Sequence, residues 1–393
     1  MRAVGYKLGA IDSLMLDLDR MLEDGERASA TREQLIRESF AYHLQNNANY
    51  RSYVERLIGG RNPEELSLAE IPLLPSSLFK QRDLSVTTGS EEQIVKLCCS
   101  SGTSGSRSIV PRDDETLTRF LGSVTTSIPS LFGVERTGGY HAIVLGPSTE
   151  EAGDLWFSYV IACMTLIMTT DYLEQGGVFS AEQAVTVLAR RAREGRKLVM
   201  IGPPFRILEV CRRIAGAGAW PGFPPDSFVI SAGGWKDQQA KAISPPAFRQ
   251  AVRAALKMKD ETAIRDSYNM VELNSVINEC EANEKHVPPW VEAQARDPRT
   301  DRVLSSEGEL GVLAFLDASS TSYPGFILSE DFGHVVEGRC GCGRIGQRVQ
   351  IVRRINRIES RGCALKMATG KEERAAGELR FFRSVYRAGH QPG

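Results

Sequence analysis

The stretch CSSGTSGSRS, residues 99–108, decides how the rest of this chain is interpreted. It lies between a strand-like run, EEQIVKLCCS at 91–100, and a helix-like run that opens with three acids at 113–115. Small residues let backbone N–H groups approach an anion, and hydroxyls add further donors. The pattern therefore predicts a phosphate-binding loop in which Arg107 supplies a guanidinium suited to phosphate geometry. The spacing is not that of a P-loop, and a plain solvated Ser/Gly loop is the alternative.

Strand-like and helix-like runs alternate after this loop. HAIVLGPS, KLVMIGPP, DSFVISAGGW and AIRDSYNMVE are separated by amphipathic stretches of about a dozen residues, a spacing typical of βαβ units. An α/β fold with largely parallel pairing follows. Residues 10–60 predict helices, one of them with Thr31 as its N-cap and Gly59-Gly60 as its stop. From Val303 onward, short strands with turns predict an antiparallel part.

Composition and charge exclude several classes of partner. The 393 residues carry 48 Lys+Arg against 49 Asp+Glu, with no basic arm, so nucleic acid is not predicted as a partner. Charged residues interrupt the N-terminal 22 residues, which therefore lack the apolar core of a signal peptide. The longest apolar run, 159–168, is about half a membrane span. These features predict a cytoplasmic protein without membrane insertion, and the eight cysteines are too sparse for a disulfide scaffold.

With these observations in place, the chain resembles the adenylate-forming superfamily of acyl-CoA synthetases, adenylation domains and luciferases. Its phosphate loop is matched by Ser100, Ser101, Gly102, Thr103, Ser104, Gly105 and Ser106, followed by Arg107 in place of the usual Lys. Further segments follow in the family's order: SAGGW (231–235), DSYNMVE (266–272), LSEDFG (328–333) and the hinge-like RRINRIESRG (353–362). The resemblance implies a large N-terminal domain of parallel-rich sheets packed with helices, and a small antiparallel subdomain.

The resemblance also implies ATP and Mg²⁺ as cofactors and gives each motif residue a role. Gly233 and Gly234 line the adenine, Tyr268 stacks on it, and Glu272 holds Mg²⁺ while Asp331 and Arg354 bind ribose and phosphate. The Gly and Thr of the family's Tyr-Gly-x-Thr-Glu motif are Asn269 and Val271 here, a departure that removes one hydroxyl from the phosphate side.

The branch of the superfamily that the chain is most similar to is the bacterial acyl-protein synthetase family, the fatty-acid-loading component of the luminescence reductase. IPLLPSSLFK (71–80), HVPPW (286–290), CGCGR (340–344) and RGCALK (361–366) all look like its segments. Only residues 355–393 follow the hinge, so a full C-terminal lobe with its catalytic Lys does not fit. In that place stands Cys363, which the resemblance implies is the acyl acceptor; a buried structural cysteine is the alternative.

The implied function is activation of a fatty acid as acyl adenylate and transfer of the acyl group to a thiol. An aryl-CoA ligase of the phenylacetate type is one rival, and an idle nucleotide-binding scaffold is another. A fatty-acyl reductase or an acyl carrier is the implied partner, and residues 146–168 the predicted acyl pocket. The domain boundaries expected are 1–90 (helical), 91–302 (α/β core), 303–354 (antiparallel) and 355–393 (truncated C-terminal segment).

One more cluster of residues suits a metal. Cys280 and His286 stand five residues apart, and Cys340 and Cys342 flank a single glycine. Three sulfurs and one imidazole make a tetrahedral Zn²⁺ set. Neither pair matches a standard zinc finger, but the resemblance to phenylacetate-CoA ligases implies a structural zinc here. A reduced cysteine pair beside an unrelated histidine, or His334 as substitute ligand, stays open.

Overall fold

A computed structural model describes residues 9–80, 86–101, 107–134, 139–216, 220–304 and 307–354. Its helices are α1 Ala10–Leu16, α2 Leu18–Glu23, α3 Gly25–Asn46, α4 Ala48–Ile58, α5 Asp114–Ser127, α6 Thr149–Ala152, α7 Trp156–Met164, α8 Ala181–Arg193, α9 Pro204–Gly216 and α10 Pro245–Leu256. Short 3₁₀ turns cover Pro63–Glu65, Leu68–Glu70, Ser76–Lys80, Glu91–Gln93 and Lys236–Lys241, and a π-helical turn covers Ile128–Phe132.

The N-terminal region is helical as predicted, but its boundaries differ. Thr31 lies inside α3, so its prediction as an N-cap is wrong; Asp24 caps that helix by accepting from the Arg27 amide at 3.1 Å. Asn47 interrupts the run and caps α4 by accepting from the Tyr50 amide at 2.8 Å. Asp and Asn oxygens satisfy orphan amide donors at helix starts, which explains why these two residues set the boundaries. The predicted stop is confirmed: α4 ends at Gly59 in the left-handed region.

The strands are β1 Leu74–Pro75, β2 Ile94–Cys99, β3 Ile109–Asp113, β4 His141–Val144, β5 Thr169–Tyr172, β6 Glu174–Gln175, β7 Val178–Phe179, β8 Leu198–Gly202, β9 Phe228–Ala232, β10 Ile264–Tyr268, β11 Ile277–Glu279, β12 Lys285–His286, β13 Val291–Arg296, β14 Gly311–Asp317, β15 Phe326–Val336 and β16 Arg348–Arg354. Within the described ranges, twelve of them form one sheet in the order β13-β14-β15-β16-β12-β11-β10-β9-β8-β4-β5, with β1 beside β15. The strands from β10 to β5 in that order pair in parallel, whereas those from β11 to β13 pair antiparallel.

The parallel half is buried on both faces, as its apolar runs predict. In β8, Leu198 and Met200 pack into a cluster with α8, α9 and α10, while Val199 and Ile201 join the main core on the opposite face. Strands β2 and β3 form a separate antiparallel hairpin, and the predicted phosphate loop connects them. The predicted α/β class is confirmed, and the parallel strands and the antiparallel strands share one sheet.

Candidate active site

Three of the predicted site segments follow the carboxyl ends of strands in the parallel half of the sheet. Gly146 comes two residues after β4, Gly233 directly after β9 and Asn269 directly after β10. The crevice at the carboxyl ends of parallel strands is the usual ligand site of open α/β sheets. The topology therefore brings together segments that lie more than 120 residues apart in the sequence.

The base of the phosphate loop is closed by two hydrogen bonds. The Ser100 amide donates to the Ser108 carbonyl at 3.0 Å, and the Ser108 amide donates to the Ser100 hydroxyl at 2.9 Å. Ser101 and Arg107 are exposed on either side of this closure. Gly102, Thr103, Ser104, Gly105 and Ser106 lie outside the described residues. The hydrogen bonds fix where the loop leaves and rejoins the hairpin.

The glycine turn after β9 has a steric reason for its sequence. Gly233 and Gly234 both have positive φ, +80° and +63°. A Cβ on Gly233 would lie 2.7 Å from a ring carbon of Phe157, whereas nothing lies within 4 Å of a Cβ on Gly234. Phe157 belongs to α7, inside the predicted acyl pocket. Both positions therefore favour glycine because of their positive φ. At Gly233, in addition, there is no room for a side chain.

Glu272 is the buried carboxylate of the site. It is 5% exposed, and the Ser108 hydroxyl at the base of the phosphate loop hydrogen-bonds to it. Burial raises the pKa of Glu272, although the Ser108 hydrogen bond and the Arg354 charge oppose that shift. A bound cation would stabilise the ionised form of this buried carboxylate. A proton would compete with the cation for the same oxygens. Glu272 therefore lies next to the base of the predicted phosphate loop.

Tyr268, Asp331 and Arg354 also lie together. The Tyr268 hydroxyl donates to Asp331 Oδ2 at 2.8 Å, and Arg354 pairs across the β15–β16 ladder with Asp331. Burial raises the pKa of Asp331, and Arg354 and the tyrosine hydroxyl oppose this shift. The adjacent Glu330 bridges Arg354, at 3.2 Å, and Lys80, at 2.8 Å. The site thus has two cations and two carboxylates on its antiparallel side.

Asn269, which replaces the motif glycine, is bound by the protein itself. Its carbonyl oxygen accepts from the Trp156 indole N–H at 2.5 Å, and its amide nitrogen donates to the carbonyls of Leu273 and Ser275. Trp156 in turn contacts Arg112, a fully buried residue of β3. The sequence predicts no role for Arg112, and it includes Trp156 only in the predicted acyl pocket and Lys80 only in the segment IPLLPSSLFK. A charged residue within an otherwise buried strand, IVPRD, is the signal that could have indicated Arg112.

The predicted zinc ligands converge. One ligand atom from each of Cys280, His286, Cys340 and Cys342 lies within 4.8 Å of the other three. The Cys280 and Cys340 sulfurs are 3.7 Å apart, and Cys342 Sγ is 3.4 Å from His286 Nε2. Tetrahedral Zn²⁺ with bonds of about 2.3 Å to sulfur and about 2.0 Å to nitrogen requires ligand separations of this size. Burial lowers the pKa of His286 to about 4, so the imidazole is neutral and able to ligate near neutral pH.

The remaining predictions fall partly outside the described residues. Cys363 and the segment that follows the hinge, from residue 355 on, are not described. His334 does not belong to the cysteine–histidine cluster. Within the described part of the chain, no helix combines the length and the apolarity that crossing a bilayer requires.

Comparison with solved structures gives the fold class. A 2-hydroxyisobutyryl-CoA ligase, solved with 2-HIB-AMP and CoA, matches with a TM-score of 0.65 over 90% of this chain and 73% of that chain, at 14% identity. Its open conformation matches with a TM-score of 0.64 over 86% of this chain and 77% of that chain, at 14% identity. The fold is that of the adenylate-forming ligases, as predicted.

Sequence comparison defines the family within that class. Residues 7–371 match the acyl-protein synthetase family, LuxE. The long-chain-fatty-acid–luciferin-component ligase of Aliivibrio fischeri is 35% identical over 349 residues, 87% of this chain and 89% of that relative. The ligase of the same name from Vibrio harveyi is 33% identical over 340 residues, 85% of this chain and 86% of the relative. The chain belongs to the acyl-protein synthetase family and is an enzyme of the ligase class.

Proposed function

We propose that the protein activates a long-chain fatty acid with Mg·ATP and then captures the acyl group on Cys363. The observation that carries the proposal is the contact between Glu272 and Ser108, which joins a buried carboxylate to the base of a phosphate loop. The curated relatives are named as ligases of long-chain fatty acids, which is the reason for choosing that substrate.

In the first half-reaction, a carboxylate oxygen of the acid attacks the α-phosphorus of ATP. A new O–P bond forms, the bond between the α-phosphorus and the bridging oxygen breaks, and pyrophosphate leaves with its electron pair. Negative charge spreads over the phosphate oxygens, so positioned cations and hydrogen-bond donors stabilise this step. Glu272 would hold Mg²⁺, the phosphate loop with Arg107 would bind the β- and γ-phosphates, and Asp331 with Arg354 would hold ribose and phosphate.

In the second half-reaction, the Cys363 thiolate attacks the carbonyl carbon of the adenylate. A thioester forms and AMP leaves as the anion; the thiol proton goes to solvent or to a nearby base. The family match extends to residue 371 and so includes Cys363, which supports its role. Cys363 is nine residues beyond Arg354, and an extended segment of that length spans up to about 30 Å, enough to reach the adenylate.

We further propose that Cys280, His286, Cys340 and Cys342 hold one structural Zn²⁺. The four ligand atoms would fill the tetrahedral coordination of the ion, which would leave no open site for substrate or water. Its role is to tie the segment after Glu272 to the hairpin before β16. Metal analysis of protein purified without chelator, with one zinc per chain expected, tests this directly.

Pyrophosphate exchange tests the function. With Mg·ATP, we expect the protein to exchange labelled pyrophosphate into ATP with long-chain fatty acids and far less with aromatic or amino acids. Intact-mass analysis should then show an acyl adduct that is absent in Cys363→Ala, although this variant keeps the exchange activity. If Cys363→Ala still forms acyl-CoA at the wild-type rate, the acceptor is coenzyme A. If wild type binds ATP but exchanges with no acid, the protein is a scaffold and the proposal is wrong.

A thioester on the enzyme is an intermediate that a further reaction must consume. A thioester is readily reduced to an aldehyde or transferred to another thiol or hydroxyl. We therefore propose a fatty-acyl reductase or an acyl carrier as the partner that receives the acyl group. A single-turnover experiment with the preloaded protein and a candidate partner would show loss of the acyl mass from Cys363.

A further inference from the structure

Arg112 is a fully buried arginine that contacts the segment carrying Glu272, the proposed metal-binding carboxylate. It is 0% exposed and lies in β3, the strand that follows the phosphate loop. Its guanidinium carbon is 3.7 Å from the centroid of the Trp156 ring. Its hydrogen bonds go to Asn274 Oδ1 (3.2 Å), the Val271 carbonyl (2.6 Å) and the Tyr323 hydroxyl (3.4 Å). The side chain thus contacts four residues from three separate segments.

Arg112 is a buried cation without a counter-ion in the described part of the chain, which is unusual. Among the described residues, no carboxylate lies within ion-pair distance of it, and its Nη1 atom has no hydrogen-bond partner. Burying a cation without a counter-ion destabilises the folded state, because carbonyl groups and an aromatic face replace water only in part. An arginine that served stability alone would be a poor choice here. This argues for a role in the site.

The two main hydrogen bonds of Arg112 lie on either side of Glu272. One goes to the backbone carbonyl of Val271 and the other to the side chain of Asn274, so Arg112 holds the segment that presents the carboxylate. The planar guanidinium fixes both acceptors at once, which a lysine ammonium on a flexible stem does not do. Val271 stands where the superfamily motif has a threonine. Its carbonyl, rather than a side-chain hydroxyl, provides the anchor.

A second link fixes the same segment from the other side. The Trp156 indole N–H donates to Asn269, whose amide group bonds to the carbonyls of Leu273 and Ser275. Because Arg112 stacks on the same indole ring, the two links form one unit that joins β3, α7 and residues 269–275. Glu272 lies in the middle of that segment.

We propose that Arg112 is the positioning residue for Glu272, acting through the backbone of Val271 and the side chain of Asn274, and that Trp156 and Asn269 complete this support. The proposal rests on the proposed function, because it assumes that Glu272 binds the Mg²⁺ of Mg·ATP. In this proposal, the chain positions its metal-binding carboxylate by these contacts, although it lacks the glycine and threonine of the superfamily motif.

The test measures metal affinity rather than activity alone. Arg112→Lys keeps the charge but loses the paired acceptors, and we expect the Mg²⁺ concentration for half-maximal pyrophosphate exchange to rise roughly 10-fold or more, since small displacements of catalytic groups have large effects. Trp156→Phe keeps a ring for stacking and removes the N–H to Asn269, so a smaller rise in the same direction is expected. Binding of Mn²⁺·ATP, followed by electron paramagnetic resonance, gives a second measurement that needs no turnover.

Arg296→Lys is the matched control. Arg296 is also buried, at 4% exposed, and it bonds to the Ala69 and Asp301 carbonyls and to Gln294 on β13. The same substitution there should lower the melting temperature and leave the Mg²⁺ dependence unchanged.

The outcomes separate the two proposals. If Arg112→Lys lowers the melting temperature like Arg296→Lys but keeps wild-type Mg²⁺ dependence and Mn²⁺·ATP affinity, Arg112 is only structural and this inference is wrong. The proposed function would stand in that case. If wild type itself binds no Mn²⁺·ATP, the nucleotide site is wrong and both proposals fail together.

Discussion

The segment from Asn269 to Cys280 is held in two different ways at its two ends. At the Cys280 end, four ligand atoms from two parts of the chain lie within 4.8 Å, already placed for a single ion. At the other end, Arg112 and Trp156 hydrogen-bond to residues that flank Glu272, and the Glu272 carboxylate itself takes part in a hydrogen bond with Ser108. A closed structural metal site saturates its ion with protein ligands, whereas a catalytic site leaves a position for substrate and is supported by the residues around its ligand. Substitutions at the Cys280 end should therefore mainly lower stability, whereas substitutions at the Glu272 end should mainly lower catalytic activity.

The largest expected effect on stability is loss of the metal. Cys340→Ser should abolish zinc binding and lower the melting temperature by roughly 10 °C, because metal binding contributes directly to folding free energy. Metal analysis and thermal unfolding measure the two effects. Cys163→Ser is the control, since Cys163 is buried but lies outside the ligand cluster. A Cys340→Ser protein with wild-type melting temperature and undiminished zinc would show that the four residues do not form a structural site.

Glu272→Gln should have the largest effect on chemistry. Removing the carboxylate that is proposed to hold Mg²⁺ is expected to lower the rate of pyrophosphate exchange roughly 10²–10³-fold, the usual size of an electrostatic contribution to catalysis. The amide is isosteric, so the fold and the zinc content should be unchanged. Exchange at saturating Mg²⁺ and ATP is the measurement, and wild-type activity in this variant would remove Glu272 from the site.

The same substitution makes a prediction about pH and stability without Mg²⁺. Burial raises the pKa of Glu272 above its unfolded value, so the folded state binds more protons than the unfolded state between these two pKa values. The stability contribution of Glu272 therefore falls as pH rises through that interval. Glu272→Gln should be more stable than wild type above the folded pKa of Glu272, and this difference should disappear below the unfolded pKa. Thermal unfolding of both proteins in a chelating buffer across pH 4 to 8 checks the sign.

The contrast between the two ends also explains what the sequence could predict. The proposed zinc ligands were predictable because their residue types suit zinc and because the chain resembles the phenylacetate-CoA ligases. The proposed phosphate loop has a local signal in its small and hydroxyl-bearing residues, whereas the role of Gly233 was predictable only from the superfamily resemblance. Arg112 was not, because its partners Val271 and Asn274 lie 159 and 162 residues away and give no local pattern.

Local signals failed in the N-terminal region for a similar reason. Thr31 and Gln34 have the spacing of a capping box, yet α3 begins six residues earlier, at Gly25. Arg32, one residue after Thr31, is buried and forms ion pairs with Glu292 and Glu337. The buried Ala28 packs the turn before Thr31 against the core, and the ion pairs of Arg32 hold the turn after it. These tertiary contacts override the local capping signal. The strand β3 was missed because it is short and contains Pro111 and Arg112.

Gly233→Ala tests how closely the nucleotide side of the site is packed. The positive φ and the 2.7 Å approach of Phe157 both oppose a Cβ, and we expect a loss of about 2–3 kcal/mol in unfolding free energy and a raised KM for ATP. Gly234→Ala is the control: its φ is also positive, but its Cβ meets nothing, so about 1 kcal/mol is expected. Equal losses from the two substitutions would show that Phe157 does not limit the space beside the turn.

The smallest expected effect comes from Tyr268→Phe. The ring that is proposed to stack on adenine remains, and only the hydroxyl that donates to Asp331 is lost. A hydrogen bond to a carboxylate contributes about 1–2 kcal/mol, so the KM for ATP should rise roughly 5- to 30-fold with little change in kcat. That hydrogen bond opposes the burial that raises the pKa of Asp331, so its removal should raise this pKa further. Since only ionised Asp331 accepts hydrogen bonds from ribose hydroxyls with both oxygens, the rise in KM on acidification should begin at a higher pH in Tyr268→Phe. A pH profile with the wild-type midpoint would mean that Asp331 does not titrate against nucleotide binding, and that Tyr268 acts through its ring alone.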